Sequence, residues 1–292
     1  MKLLHLLAIL VVAIWGYTFV TTKLLIVGGL SPSQIMLYRF GIAYICMLFI
    51  APRPLFARTL KDELLTVAAG VTGGSLYFVT ENSALALSLT SNVAIIIASA
   101  PIFTQLASHF LLEGERMSRR MFTNSLFAFA GVVLVVCNGR IVLELNPLGD
   151  ILALIASISW ALYTVFIRKL DKRGYTTKFV TRKIFFYGVA TMLPIFLFIP
   201  ILPSPASILL DSSIYLPLLF LAVAASFFCF FAWGYIVEKI GAAASAPYIY
   251  MVPLVSLISA ALVLKEPITP LALFGMALIL LGVIRGERTW KR

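Results

Sequence analysis

Charge is what this chain lacks most. Only 12% of its 292 residues are charged, against ~25% in an average soluble domain. Acidic residues are the scarcer sign, with 12 Asp and Glu against 23 Lys and Arg. The two histidines, His5 and His109, cannot supply an H-E-x-x-H zinc site. The three cysteines, Cys46, Cys137 and Cys229, lie in or beside apolar runs. That argues against a disulfide framework and for buried small hydrophobes. The phosphate-cradling pattern G-x-x-x-x-G-K-[ST] is missing, as is the G-x-S-x-G nucleophile turn. Neither catalytic residues nor a metal site can be assigned, and no cofactor is expected.

Hydrophobic residues fill the space, at 61% of the chain and a mean hydropathy of +1.03. A bilayer-crossing helix needs ~20 apolar residues, and the loops are short, so the length fits around ten helices. The expected spans are Leu4–Val27, Pro32–Ile50, Leu64–Leu85, Ser91–Leu112 and Met121–Cys137, then Leu148–Ile167, Ile184–Ile201, Ile214–Val237, Ala243–Leu264 and Leu271–Ile284. The runs are apolar all round and longer than the alternating segments of a barrel, so they read as helices. The first run follows Lys2 but is too long for a signal-peptide core, so it is expected to be retained. The net charge of +11 reads as topology and not as nucleic-acid binding. With both termini cytoplasmic, most Lys and Arg fall on the inner side, and Lys23, Arg140 and Lys265 on the outer. The inner group from Arg168 to Lys183 is read as setting orientation, with anionic headgroups as its other use.

The chain is also duplicated. Trp15-Gly16-Tyr17 leads in eight residues from the Trp to Lys23, and Trp160-Ala161-Leu162-Tyr163 leads in eight to Arg168. Pro101 precedes Glu115 and Gly131, as Pro253 precedes Glu266 and Gly282, at offsets of 145 to 152 residues between copies. Five helices per copy is an odd number, so the second copy enters the membrane upside down. The loops agree: the connection after the first helix carries no Lys or Arg, and its counterpart after the sixth carries seven. Inverted repeats give outward-open and inward-open states of similar energy, which alternating access requires.

These residues resemble the ten-helix drug/metabolite transporter superfamily, in particular its EamA-type members. The resemblance rests on the Trp15-Gly16 and Trp160-Ala161 helices, Pro32…Arg39, Gly149-Asp150 and the two Pro…Glu…Gly segments. It implies an all-α integral membrane fold of ten transmembrane helices, a 5+5 inverted repeat around a central cavity, with repeats at residues 1–140 and 141–292. It implies a secondary transporter exporting small metabolites such as amino acids across a bacterial inner membrane. The partners would be a small-molecule substrate, the lipid bilayer and a coupling proton. The alternatives are a non-transporting receptor or scaffold and an intramembrane enzyme.

Site candidates follow from polarity at depth. Trp15 and Trp160 fall about eleven residues, roughly 16 Å, into their helices, below the aromatic belts. They read either as packing or as cavity walls with Tyr17, Tyr77 and Tyr163. Pro101 and Pro253 each remove a helix hydrogen bond, which predicts kinks beside a cavity, with Tyr248 and Tyr250 close by. Arg39 in the second helix would cost about 2.5–3.5 kcal/mol if unpartnered. Its expected partner is Glu81 in the run Thr80-Glu81-Asn82-Ser83, as an ion pair or across a shared vestibule. Glu115 and Glu266 read as structural acids near helix starts, beside the N-caps Ser118 and Thr269. Gly70 and Gly74 read as a close-packing pair.

Overall fold

The computed structural model describes residues 2–88, 90–137, 146–194, 210–264 and 268–290. The sequence readings at Arg140, Lys265 and Glu266, and at the Lys23 side chain, lie outside the described residues. The described chain is helical, with no strand. α1 is Lys2–Val27 and α2 is Pro32–Ile50. α3 runs as Leu60–Gly70, a π-helical stretch Val71–Ser75, and Leu76–Leu87. α4 is Thr90–Ile97 followed by Ala100–Leu111, α5 is Arg119–Cys137, α6 is Pro147–Lys172 and α7 is Thr177–Met192. α8 runs as Ser212–Leu219, a π-helical stretch Phe220–Phe228, and Cys229–Ile240. α9 is Ala242–Ser245, a 3-10 turn Ala246–Tyr250, and Met251–Leu264, and α10 is Pro270–Trp290. Seven helices among the described residues are long and apolar enough to cross a membrane.

The helix starts carry their reasons in sequence. Ser31 caps α2 in a capping box with Gln34, with Pro32 in the first turn. Asn146 accepts from Gly149 N at 3.0 Å to start α6, ahead of Asp150. The two expected N-caps form: Ser118 accepts from Met121 N and Thr269 from Ala272 N, each at 3.2 Å.

Packing runs mostly between the halves. α1 lies against α8 and α9, and α6 lies against α3 and α4. α2 packs on α8 and α7, α7 packs on α3 and α2, and α5 pairs with α10. Exchanging each helix with the one five later leaves this set of neighbours unchanged. Small residues allow the closest approaches. A Cβ added at Gly131 would stand 2.6 Å from Gly275 O, and one at Gly282 would stand 2.8 Å from Asn124 O, so α5 and α10 meet backbone to backbone. Gly70 and Gly74 do the same for α3 against Tyr187 and Gly188 of α7.

Candidate functional site

The centre of the bundle is aromatic. Trp15 and Trp160 meet edge to face, ring centroids 5.3 Å apart and planes at 86°. Trp233 stands 5.4 Å from Trp15, and Phe230 is 6.0 and 6.2 Å from Trp15 and Trp160. Tyr77 and Tyr163 close on Trp160 at 5.6 and 5.1 Å. Such pairs contribute ~0.5–1.5 kcal/mol each beyond burial. A wall of this kind is flat and apolar, with a few polar tips.

Each π-helical stretch offers a carbonyl to the first helix of the other half. The wide turn loosens the backbone ladder, which is why π turns gather at functional sites. Trp15 Nε1 donates to Ala225 O of α8 at 3.0 Å, and Ser159 Oγ, beside Trp160, donates to Thr72 O of α3 at 2.8 Å. The first helix of each half thus ties down the irregular turn of the other half.

A charged pair borders the aromatic wall. Arg39 is only 7% exposed. Its Nε donates to Ser226 Oγ of α8 at 2.7 Å, and its guanidinium carbon lies 5.3 Å from the Phe78 ring centroid. Its two terminal amino groups make no hydrogen bond to the protein among the described residues. Glu81 accepts from Tyr77 Oη at 3.0 Å. The two charges are near enough to interact, but they form no direct ion pair among the described residues. The expected pairing is corrected on that point. Arg39 reaches across to α8, Glu81 turns back one turn along its own helix, and each keeps hydrogen-bonding capacity for a third party.

The other candidates are placed unevenly. Tyr17 points away from Trp15: it is 39% exposed and stacks edge-on against Phe220 at 5.5 Å. Asn82 is half-buried and makes no side-chain hydrogen bond among the described residues. Pro101 opens the second piece of α4 after the break at Ala98-Ser99, and Pro253 sits in the first turn after the 3-10 turn of α9. Both prolines therefore mark real helix interruptions. Tyr248 and Tyr250 lie in that 3-10 turn, away from the tryptophans; Tyr248 hydrogen-bonds His5 Nδ1. Sequence reasoning missed Trp233, Phe230, Phe78 and Ser226. The available signal was Phe230 and Trp233 at i and i+3 on one face of α8, hidden in a run that is apolar throughout.

At the basic end of the bundle, five of the seven cations from Arg168 to Lys183 are matched inside the protein: Arg168, Lys172, Arg173, Arg182 and Lys183. Arg168 donates from Nε to Glu115 Oε1 at 2.7 Å and from Nη1 to Asp171 Oδ2 and Glu238 O, both at 2.6 Å. Arg173 pairs with Asp62, Lys183 with Glu63, and Arg182 donates to the Ala51 and Pro54 carbonyls. These contacts occupy side chains that a headgroup site would need. The Arg173 guanidinium, then the Tyr175 hydroxyl 2.9 Å away, hold the Asp62 carboxyl below its ordinary value. Glu115 is structural as expected, but not at the helix that follows it. Its Oε2 accepts from Ala242 N at 2.8 Å and Ala243 N at 3.1 Å, so it stabilises the start of α9 in the other half.

A multi-helix apolar bundle whose halves meet at a buried aromatic and charged centre is the architecture of a membrane transporter. The chain belongs to the EamA-like transporter family, whose model matches residues 2–137 and again residues 147–285. It is therefore a multi-pass membrane protein and a transporter, not an enzyme. It is 28% identical over 277 residues to an uncharacterized transporter of Archaeoglobus fulgidus, covering 94% of this chain and 95% of that one. It is 27% identical over 288 residues to a probable amino-acid metabolite efflux pump of Escherichia coli, covering 95% and 92%. It is 29% identical over 289 residues to a probable terminal-alkyne amino-acid exporter of Streptantibioticus cattleyicolor, covering 94% and 90%. One solved crystal structure superposes with a TM-score of 0.82 at 19% identity, over 100% of this chain and 99% of that one; this likeness concerns the fold.

Proposed function

We propose that the protein is a secondary exporter of small zwitterionic metabolites, amino acids with apolar or aromatic side chains among them, across the bacterial inner membrane. Residues 1–140 and 141–292 act as inverted repeats, and ten helices cross with both termini and the basic end on the cytoplasmic side. Support comes from the neighbour set that survives exchange of the halves and from two π-helical stretches at matching places in α3 and α8. The excess of Lys and Arg at the basic end favours that orientation.

The observation that carries the reading is the meeting of Trp15 with Trp160 beside Arg39 and Glu81. Trp15, Trp160 and Tyr77 would hold an apolar side chain. The free amino groups of Arg39 would take the carboxylate, where guanidinium geometry favours two parallel bonds. Glu81 would take the ammonium or, when that is absent, a coupling proton. The named relatives of Escherichia coli and Streptantibioticus cattleyicolor favour amino-acid-like cargo. The test is counterflow of labelled L-leucine and L-phenylalanine in proteoliposomes, with and without a pH gradient. Saturable flux that Arg39→Ala abolishes supports the reading; equal flux in the variant defeats it.

A further inference from the structure

One buried polar cluster takes no part in that centre. Gln105 and Ser108 lie one turn apart on α4 and are fully buried. α5 and the 3-10 turn of α9 pack near them, contributing Ser125 and the buried Tyr250. Ser125 Oγ donates to Gln105 Oε1 at 3.0 Å. Among the described residues the Gln105 amide nitrogen and Ser108 Oγ have no hydrogen-bond partner, nor does the Tyr250 hydroxyl, which lies beside Ser125 without a well-formed bond. A buried polar group left unmatched destabilises the fold, and Ala or Phe would fill Ser108 and Tyr250 at no such cost. Polar groups kept here at that cost are satisfied in another arrangement of the helices.

The element able to produce that arrangement lies at the basic end of the same helices. Glu115, four residues beyond α4, holds Arg168 of α6 and the first amides of α9. Releasing it frees the end of α4 that carries Ser108 and the start of α9 that carries Tyr250. All three unmatched groups can donate a hydrogen bond and none is charged, so they suit an acceptor-rich head such as a carboxylate and hold it loosely. We propose that Gln105, Ser108 and Tyr250 form a second, uncharged binding station for the substrate carboxylate, entered from the basic end when the Glu115 clasp opens. The proposal rests on the transporter reading and adds a stop on the path before Arg39.

Two experiments test it. In a chain with Cys46, Cys137 and Cys229 replaced by Ala, Ser108→Cys is exposed to a membrane-impermeant maleimide from each side of membrane vesicles. Labelling is expected only from the basic side, rising at least fivefold with Glu115→Gln, or with Arg168→Gln if the first variant does not fold. No labelling in folded clasp variants, or equal labelling from both sides, overturns the proposal. Separately, Ser108→Ala with Tyr250→Phe removes only the two unmatched hydroxyls. The melting midpoint should hold or rise while leucine and phenylalanine counterflow falls at least tenfold. Parental counterflow, or a lowered midpoint that marks a structural role, overturns this station and leaves the Arg39 site standing. If the parent shows no Arg39-dependent flux, the transporter reading fails instead, and the maleimide result still decides whether the cluster opens to water.

Discussion

Replacing Arg39 by Lys separates charge from geometry at the centre. Lysine keeps the cation but cannot make the 2.7 Å Nε bond to Ser226 or lay a planar group 5.3 Å from Phe78. A hydrogen bond from a charged group contributes ~1.5–3 kcal/mol, and the weakened ring contact adds ~0.5–1, so the folded state should lose ~2–4 kcal/mol. That corresponds to a drop on the order of 5–10 °C in melting midpoint, read by thermal unfolding in detergent. The same change removes two-pronged hold on a carboxylate. Loss of ~1.5–3 kcal/mol of substrate binding raises the apparent KM for counterflow about 10- to 100-fold, with the maximal rate largely kept. Ser226→Ala isolates the anchoring bond: it should lower the midpoint comparably but raise KM less than tenfold. Wild-type KM in Arg39→Lys together with a lowered midpoint would refute the substrate role and leave Arg39 as a tie between α2 and α8.

Other expectations follow from the same geometry. Trp15→Ala and Trp160→Ala should show a coupling of ~0.5–1.5 kcal/mol in a double-mutant thermal cycle, and each should shift leucine-to-phenylalanine preference; strict additivity with unchanged preference would reduce both residues to independent packing. Gly131→Ala places a Cβ 2.6 Å from Gly275 O, where backbone must move, so stability should fall by at least ~1–3 kcal/mol; an unchanged midpoint would contradict the α5–α10 contact. Asp62 is held below its ordinary 3.8 by Arg173 and Tyr175. Its contribution is therefore present in full above that value and disappears as pH falls through the lowered one. Asp62→Asn should flatten the acid limb of a midpoint-against-pH curve, and an identical limb would rule the contact out as its source.

The fold was largely legible because long apolar runs and cap residues are local signals. Pro32–Ile50 is bounded as the sequence predicts, by Ser31 and Pro32 at its start. The misplaced end is instructive: α7 begins at Thr177, two turns before the expected Ile184, because Thr176 caps it and Arg182 and Lys183 find partners on the α2–α3 side. Hydropathy alone treats those cations as solvent-facing. At the site, Trp15, Trp160, Tyr77 and Arg39 stood out because each is unusual at its depth. Trp233 and Phe230 did not, since an aromatic in an apolar run carries no mark of which face it turns inward. Tyr17 was misjudged because proximity in sequence to Trp15 says nothing of direction: two residues along a helix turn a side chain nearly to the opposite face.

The reach of Glu115 to Ala242 spans 127 residues of chain, and that distance sets a clock during synthesis. At ~5–20 residues per second, the carboxylate waits roughly 6–25 s after leaving the ribosome before the amides it stabilises are made. Through that interval the acid at the membrane surface has only Arg168, made 53 residues after it, as a partner. A fragment ending between residues 168 and 242 would keep that ion pair and lack the amides indefinitely.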